Sequence, residues 1–208
     1  RPIKLIITNY PEGKTEKFEV EITPNKPEQG NRTVSFSREL FIEQDDFMEE
    51  PVKGYFRLFP GNEVRLKTAY IVKCTGCKKD ENGNVIEVYA EYDENTRGGN
   101  TPDGRKVRGT IHWVGSKTAV NATVRLYDNL FKVADPESGE GSFLDYVNKD
   151  SLEELTDCKV KENIVKAVPP KSYQFMRLGY FCLDKDSTPE HIVFNRSVSL
   201  KDGFKGRK

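Results

Sequence analysis

The sequence predicts an all-β protein, built as barrels or a sandwich. Three observations carry that prediction. Short β-type runs recur along the 208 residues, each closed by Gly, Pro, Asn or Asp. Almost no stretch repeats apolar residues at the 3.6-residue period of an amphipathic helix. The composition, 36% hydrophobic and 11% aromatic, fills a core, while 32% charged residues serve a wet exterior. The length suits one large β unit or two small barrels.

The elements follow in order. "IKLII" (3–7), "FEVEI" (18–22), "TVSF" (33–36) and "LFIE" (40–43) are strands between polar turns. "DDFMEE" (45–50) has the look of a single helical turn. "EVRLKTAYIVKC" (63–74) reads as one long alternating strand, with Arg65, Lys67, Ala69 and Ile71 on one face and Leu66, Thr68, Tyr70 and Val72 on the other. That spacing sets Arg65 and Lys67 about 6–7 Å apart on a common face. Asn82-Gly83 is a hairpin signal, and "VIEVYAEY" (85–92) is the returning strand. "DENTRGGNTPDGRK" (93–106) reads as a long mobile loop. "VRGTIHWV" (107–114) and "ATVRLYDNLF" (122–131) are strands, with Trp113, Tyr127 and Phe131 packing and Asp128 bonding internally. "FLDYV" (143–147) is a short helix, and the acids of 135–157 fall in that helix and its flanking loop. "YQFMRLGYFCLD" (173–184) and "HIVFNRSVSL" (191–200) close the fold as strands.

Net charge is zero, but it is segregated. Residues 51–79 hold seven bases (Lys53, Arg57, Arg65, Lys67, Lys73, Lys78, Lys79) against Glu63, and residues 105–132 hold six against Asp128. Residues 135–157 hold eight acids against Lys149. Such a molecule presents a basic surface to a polyanion. "CTGC" (74–77) has knuckle spacing, but Cys158, Cys182, His112 and His191 are scattered, so reduced cysteines in a cytoplasmic protein are expected rather than a metal site. With two isolated histidines a Ser-His-Asp arrangement has little to draw on, no Gly-rich phosphate loop occurs, and nothing picks out a catalytic carboxylate pair, so the chain reads more as a binding module than as a catalyst. No run of about 18 apolar residues offers a membrane span. "RPIKLIITNY" carries no signal-peptide pattern, and a start at Arg1 suggests a piece of a longer protein.

One stretch resists the packing explanation. "KSYQFMRLGYFCLD" (171–184) is strongly apolar yet contains Gln174 and Arg177. On a regular strand these two face opposite ways. Together with "NKPEQGNRTVSFSRELFIEQDDF" (25–47), "EVRLKTAYIVKC" (63–74), "DGRKVRGTIHWV" (103–114), "VRLYDNLF" (124–131) and "VFNRSVSLKD" (193–202), it resembles the C-terminal anticodon-binding region of glutaminyl-tRNA synthetases, in the same order over nearly the whole chain.

That resemblance implies a pair of antiparallel β-barrels, assigned here to residues 1–108 and to 109–208 with a return strand, the two interleaving in sequence. It implies that Gln174 and Arg177 hydrogen-bond the middle anticodon base, a uridine. If both reach one base, the backbone between them must be irregular. It implies that Arg57 serves the third base, and that Arg65 and Lys67 serve the first base and its phosphate. Lys53, Phe56, Arg105 and Arg108 are further candidate contacts, Phe56 as a stacking platform where the family can place a lysine. The partner implied is tRNA-Gln, with an N-terminal catalytic domain in the same protein; the chain is expected to be monomeric. ATP and Mg²⁺ would belong to the full-length ligase. Neither the HIGH-type nor the KMSKS-type ATP motif occurs here, so this chain alone should be inactive, with no cofactor, no metal and no catalytic residue of its own. Three other readings remain open: the anticodon region of an archaeal or eukaryotic-type glutamyl-tRNA synthetase, a non-catalytic rRNA-binding barrel protein, and a zinc-knuckle module built on Cys74 and Cys77.

Overall fold

The structure, a computed structural model, describes residues 1–200; Lys201 and Asp202 of the last resembling stretch lie outside the described residues. It is all-β, with helical structure limited to short 3₁₀ turns. The strands are β1 (Pro2–Ile7), β2 (Thr15–Glu21), β3 (Asn31–Ser37), β4 (Glu39–Glu43), β5 (Glu63–Leu66), β6 (Ile71–Lys79), β7 (Val85–Asp93), β8 (Gly109–Ile111), β9 (Val114–Gly115), β10 (Val120–Tyr127), β11 (Leu152–Val160), β12 (Ser172–Phe175), β13 (Gly179–Leu183) and β14 (Ile192–Ser199). They form two compact units. One is residues 1–120 with the returning segment 159–164; the other is residues 121–158 with the chain from 165 on.

The first unit contains a seven-stranded sheet, ordered β8-β5-β6-β7-β1-β4-β9, and the β2–β3 hairpin. Pairing is mixed: β1 runs antiparallel to β4 and parallel to β7, and β5 runs parallel to β8. Strand alternation decides what is buried. Ile3, Leu5 and Ile7 of β1 point inward, with Leu5 and Ile7 fully buried. Tyr10, Phe18, Phe36, Tyr70, Tyr92 and Trp113 meet edge-to-face at 4.9–6.0 Å, the arrangement their ring quadrupoles favour. Inside this aromatic cluster Glu16 accepts hydrogen bonds from the Tyr10 and Tyr70 hydroxyls, both at 2.8 Å.

The second unit is a five-stranded sheet, ordered β11-β10-β14-β13-β12. Its core is smaller: Ala122, Val124, Phe181, Ile192, Val193 and Phe194. Phe175 stacks on Phe181 at 4.4 Å and meets Phe194 edge-on at 5.2 Å. Arg125 bridges Glu154 and Asp184, at 2.7 and 3.2 Å.

Several expected elements differ. The run 63–74 is not one strand. It is the β5–β6 hairpin, because Thr68 takes φ +64 and the chain reverses, with Leu66 N–H bonded to the Tyr70 carbonyl at 2.8 Å. The face assignment fails with it: Ala69 and Ile71 are fully buried beside Leu66 and Val72, and Lys67 lies beyond the strand end rather than two residues along it from Arg65. Apolar alternation continued through a turn, so the pattern concealed the reversal. Residues 173–184 likewise form a hairpin, β12–β13. Strand β11 was not expected; Glu153, Glu154 and Asp157 lie on it, rather than in a loop. Tyr127 does not pack: it is 51% exposed and donates to Asn195 Oδ1 at 3.1 Å.

Candidate nucleic-acid interface

The turn after β12 breaks the regular strand between Gln174 and Arg177. Leu178 N–H donates to the Phe175 carbonyl at 2.9 Å, closing a four-residue turn, and Arg177 takes φ +66 within it. A non-glycine residue in the left-handed region carries strain of order 1–3 kcal/mol, and such strain gathers at binding sites. The strand's two-face alternation therefore stops at Phe175 and does not govern Arg177. Gln174 is exposed and pairs in register with Tyr180, itself 42% exposed. Tyr180 was not singled out from the sequence; its only signal was alternation against buried Phe181. Behind the turn Gly179 has φ +149, and a Cβ there would come within 2.3 Å of the Val198 carbonyl oxygen, so the hairpin lies tight against β14.

In the first unit Phe56 and Arg108 were separate candidates in the sequence. The structure brings them together: the Arg108 guanidinium sits 5.3 Å from the Phe56 ring centre. They line an open cleft of about 600 Å³ with Tyr55, Phe59, Lys73 and Lys106. Phe56 is half exposed, so a ring face is available. The cleft exists because β8 starts at Gly109, whose hydrogen faces the Phe56 carbonyl; a Cβ would approach that oxygen to 2.1 Å. Gly54, just before, has φ +89, a conformation that a longer residue would adopt only with strain. Lys53 is exposed on the same segment.

The other candidate arginines are partly committed within the protein. Arg57 Nη1 donates to the Asp45 carbonyl at 3.1 Å and to the fully buried Asp46 carboxylate at 3.2 Å. Nε and Nη2 of Arg57 have no partner among the described residues, and the side chain is 41% exposed. Arg65 donates through Nε to the Gly99 carbonyl and through Nη1 to the Val107 carbonyl and Thr110 Oγ1, both at 3.4 Å. It clamps the 93–108 loop. Arg105 does the same with three carboxylates: Asp93 at 2.7 Å, Asp103 at 2.6 Å and Glu63 at 3.1 Å. Hydrogen bonds to Asp93 and Asp103 raise its already high pKa. The loop expected to be mobile is thus laced to the sheet.

Lys67 lies beside the indole of Trp113, which donates through Nε1 to the Lys67 carbonyl at 3.0 Å. Burial, and then the nearby Arg32 charge, push its ammonium below the ordinary lysine range. Cys74 is buried, its thiol pushed up to about 11 by desolvation, and it lies on β6 with Cys77. No cluster of three or more His, Cys, Asp or Glu side chains could hold a metal among the described residues. No helix among them is long and apolar enough to cross a membrane.

An all-β chain whose open cleft combines three aromatic rings with three cations has the chemistry of a single-stranded RNA reader. Residues 1–93 and 110–184 both match families described as "tRNA synthetases class I (E and Q), anti-codon binding domain". The chain belongs to this family of anticodon-binding domains. It is 52% identical over 206 residues to a glutamine–tRNA ligase of Clostridium kluyveri, covering 98% of this chain and 37% of that protein. It is 53% identical over 209 residues to that of Clostridioides difficile, covering 100% and 38%. It is 48% identical over 204 residues to that of Bradyrhizobium diazoefficiens, covering 98% and 36%. The chain therefore spans little more than a third of the length of these relatives.

Proposed function

We propose that this chain reads the anticodon loop of tRNA-Gln for a glutamine–tRNA ligase, whose ATP- and Mg²⁺-dependent chemistry resides outside it. The observation that carries the reading is the Phe56–Arg108 cleft, where unstacked bases find aromatic faces and phosphates find Lys73, Lys106 and Arg108. In this reading Gln174 and Arg177 hold the middle uridine. An amide offers both a donor and an acceptor to the uracil edge, and a guanidinium reaches its carbonyls. Arg57 serves the third base through Nε and Nη2, the donors that Asp46 leaves over. Arg65 acts through the loop it clamps, and Lys67 acts near the first base. Arg105 enters as a second loop clamp rather than as a direct contact. The monomeric state belongs to the same proposal.

The test is binding of a 17-nucleotide stem-loop with a CUG anticodon, against the same hairpin with its middle U changed to C, at low salt. The wild-type chain should prefer the CUG loop, and Gln174→Ala and Arg177→Ala should each erase the preference. Equal binding of both hairpins by wild type, or a preference that survives in both variants, would refute the assignment. A hairpin with a glutamate anticodon separates the glutamyl reading, and a 5S rRNA duplex separates the ribosomal one.

A further inference from the structure

One acid stands in the wall of the Phe56–Arg108 cleft. Glu63 begins β5 and is the single carboxylate among the residues lining that cleft. It repels the phosphate chain that Lys106 and Arg108 attract, so affinity for RNA backbone gives no reason for it. Its side chain is 34% exposed. Oε2 accepts from Arg105 Nε at 3.1 Å, while Oε1 has no partner among the described residues. Arg105 is itself held by Asp93 and Asp103, at 2.7 and 2.6 Å, so it fixes the carboxylate in place. Lys73 of β6 faces Glu63 in antiparallel register and is exposed. Directly opposed residues share a sheet face. These two nevertheless do not pair, and the Lys73 ammonium has no partner among the described residues. The half-exposed ring of Phe56 lines the same cleft. An acceptor, a donor and a ring face together are the parts that read a base, since a phosphate calls for donors alone.

We propose that Glu63 is a specificity-determining residue: its carboxylate accepts from N1–H and N2–H₂ of an unstacked guanine, Lys73 donates to the O6 of that base, and Phe56 stacks on its ring. The proposal rests on the RNA-binding reading, and Glu63 is the residue it adds. A carboxylate can accept two parallel N–H bonds at once. On its pairing edge guanine alone among the four RNA bases offers two adjacent donors, with an acceptor beside them. Adenine and cytosine set one amino group beside a bare ring nitrogen, which would face the carboxylate lone pairs. Uracil flanks its single N–H with two carbonyls, which the carboxylate repels. Lys73 has three N–H donors, so it serves O6 as well as phosphate. A CUG anticodon supplies a guanine in third place, where Arg57 is the other candidate. The two readers adjoin: Asn62, which precedes Glu63 and also lines the cleft, donates through Nδ2 to the Arg57 carbonyl at 2.8 Å.

The experiment measures the affinity of the chain for the CUG stem-loop, for the same loop with inosine in place of the guanosine, and for the same loop with adenosine there. Inosine lacks only the N2 amino group. Wild type should prefer guanosine over inosine by roughly tenfold or more, as one lost hydrogen bond to a charged group predicts. That comparison needs no variant to fold. Glu63→Gln keeps the shape and removes the charge. It should bring the guanosine-to-inosine ratio to about twofold or less, and bind the adenosine loop no worse than wild type, because the acid's repulsion of the backbone goes with the charge. Lys73→Met should weaken guanosine and inosine loops alike, since both keep O6, and leave their ratio unchanged. A wild-type ratio near one, or a Glu63→Gln ratio that stays at the wild-type value, overturns the proposal even if the preference for the middle uridine stands. Should the middle base be read without preference, the assignment of Gln174 and Arg177 falls, while the guanosine-to-inosine ratio still decides Glu63. If no hairpin binds, guanosine and inosine monophosphates decide, titrated against the backbone amide signals of β5 and β6. Tighter binding of the guanosine nucleotide, lost in Glu63→Gln, supports the proposal; equal binding, or no shift with either, overturns it.

Discussion

Replacing Glu16 with glutamine removes a charge from the centre of the first unit's aromatic cluster while keeping the side chain's shape. Glu16 accepts from Tyr10 and Tyr70 at 2.8 Å, from Lys14 Nζ at 3.0 Å and from Arg97 Nε at 3.5 Å. Its side chain is only 16% exposed, so solvent screens these contacts little. Burial pushes the carboxyl up, but hydrogen bonds from Tyr10, Lys14 and Tyr70 outweigh it and hold the group at about 2. Two estimates of the loss agree. Charge-assisted bonds exceed neutral ones by roughly 1 kcal/mol each, and at least two are downgraded, giving about 2 kcal/mol. A folded value near 2 against an unfolded value of about 4.3 gives about 3 kcal/mol by linkage. The folded value lies below the unfolded one, so this stability is complete above about pH 4.3 and is lost as pH falls toward 2. Urea unfolding followed by Trp113 fluorescence at pH 7, 4 and 2.5 measures it. Glu16→Gln should be about 2–3 kcal/mol less stable at pH 7, and the gap should close in acid. A gap that stays constant with pH, or one under about 0.5 kcal/mol at neutrality, would refute the account.

At the alkaline end the sign reverses: the Tyr70 hydroxyl is pushed up to about 12 by burial and then by Glu16, so its contribution is complete below about pH 10 and is lost as pH rises toward 12. Tyr70→Phe should flatten that alkaline limb in the same urea assay. Arg57→Ala removes an ion pair from the fully buried Asp46 carboxylate, and should cost about 1–3 kcal/mol of stability in addition to any RNA affinity; Arg57→Lys, which restores a cation, should recover part of the stability in thermal melts. Gly109→Ala drives a Cβ to 2.1 Å from the Phe56 carbonyl and should weaken hairpin binding while leaving the Gln174–Arg177 turn intact, as amide spectra of the second unit would show. Cys74, buried with its thiol pushed up to about 11, should react with iodoacetamide at pH 8 far more slowly than Cys77, measured by peptide mass.

How much of this was legible in the residues depended on the length scale of the signal. The all-β class and the Asn82-Gly83 hairpin were readable because their causes are local: alternation, and a glycine at φ +80. The reversals at Thr68 and Arg177 were not, because both place a non-glycine residue at positive φ, which no turn residue announces. Two strand pairs were therefore read as single strands, and Lys67 was given the wrong neighbour. The return of residues 159–164 to the first unit was equally silent. It rests on bonds of Glu162 and Asn163 to β3, more than 120 residues away in sequence. Gln174 and Arg177 were noticed because polarity in an apolar run is conspicuous.

The arginines divide according to what already holds them, and that division argues for how the surface works. A guanidinium that has exchanged water for carboxylates, as Arg105 has with Asp93, Asp103 and Glu63, gains little from a phosphate, since each new bond displaces an equal one. Its place is in positioning Lys106 and Arg108, its immediate neighbours, at the rim of the cleft. Arg65 does the same from the other side through Gly99, whose missing Cβ leaves room for the Arg65 chain. The cations with donors still to give are Arg57, held through Nη1 by Asp45 and Asp46, and Arg108 over Phe56, on the segment that Arg105 and Arg65 tie down. Ordering them beforehand lowers the entropy lost on binding. Single-base discrimination needs that rigidity, because a flexible basic loop would follow any phosphate chain regardless of sequence.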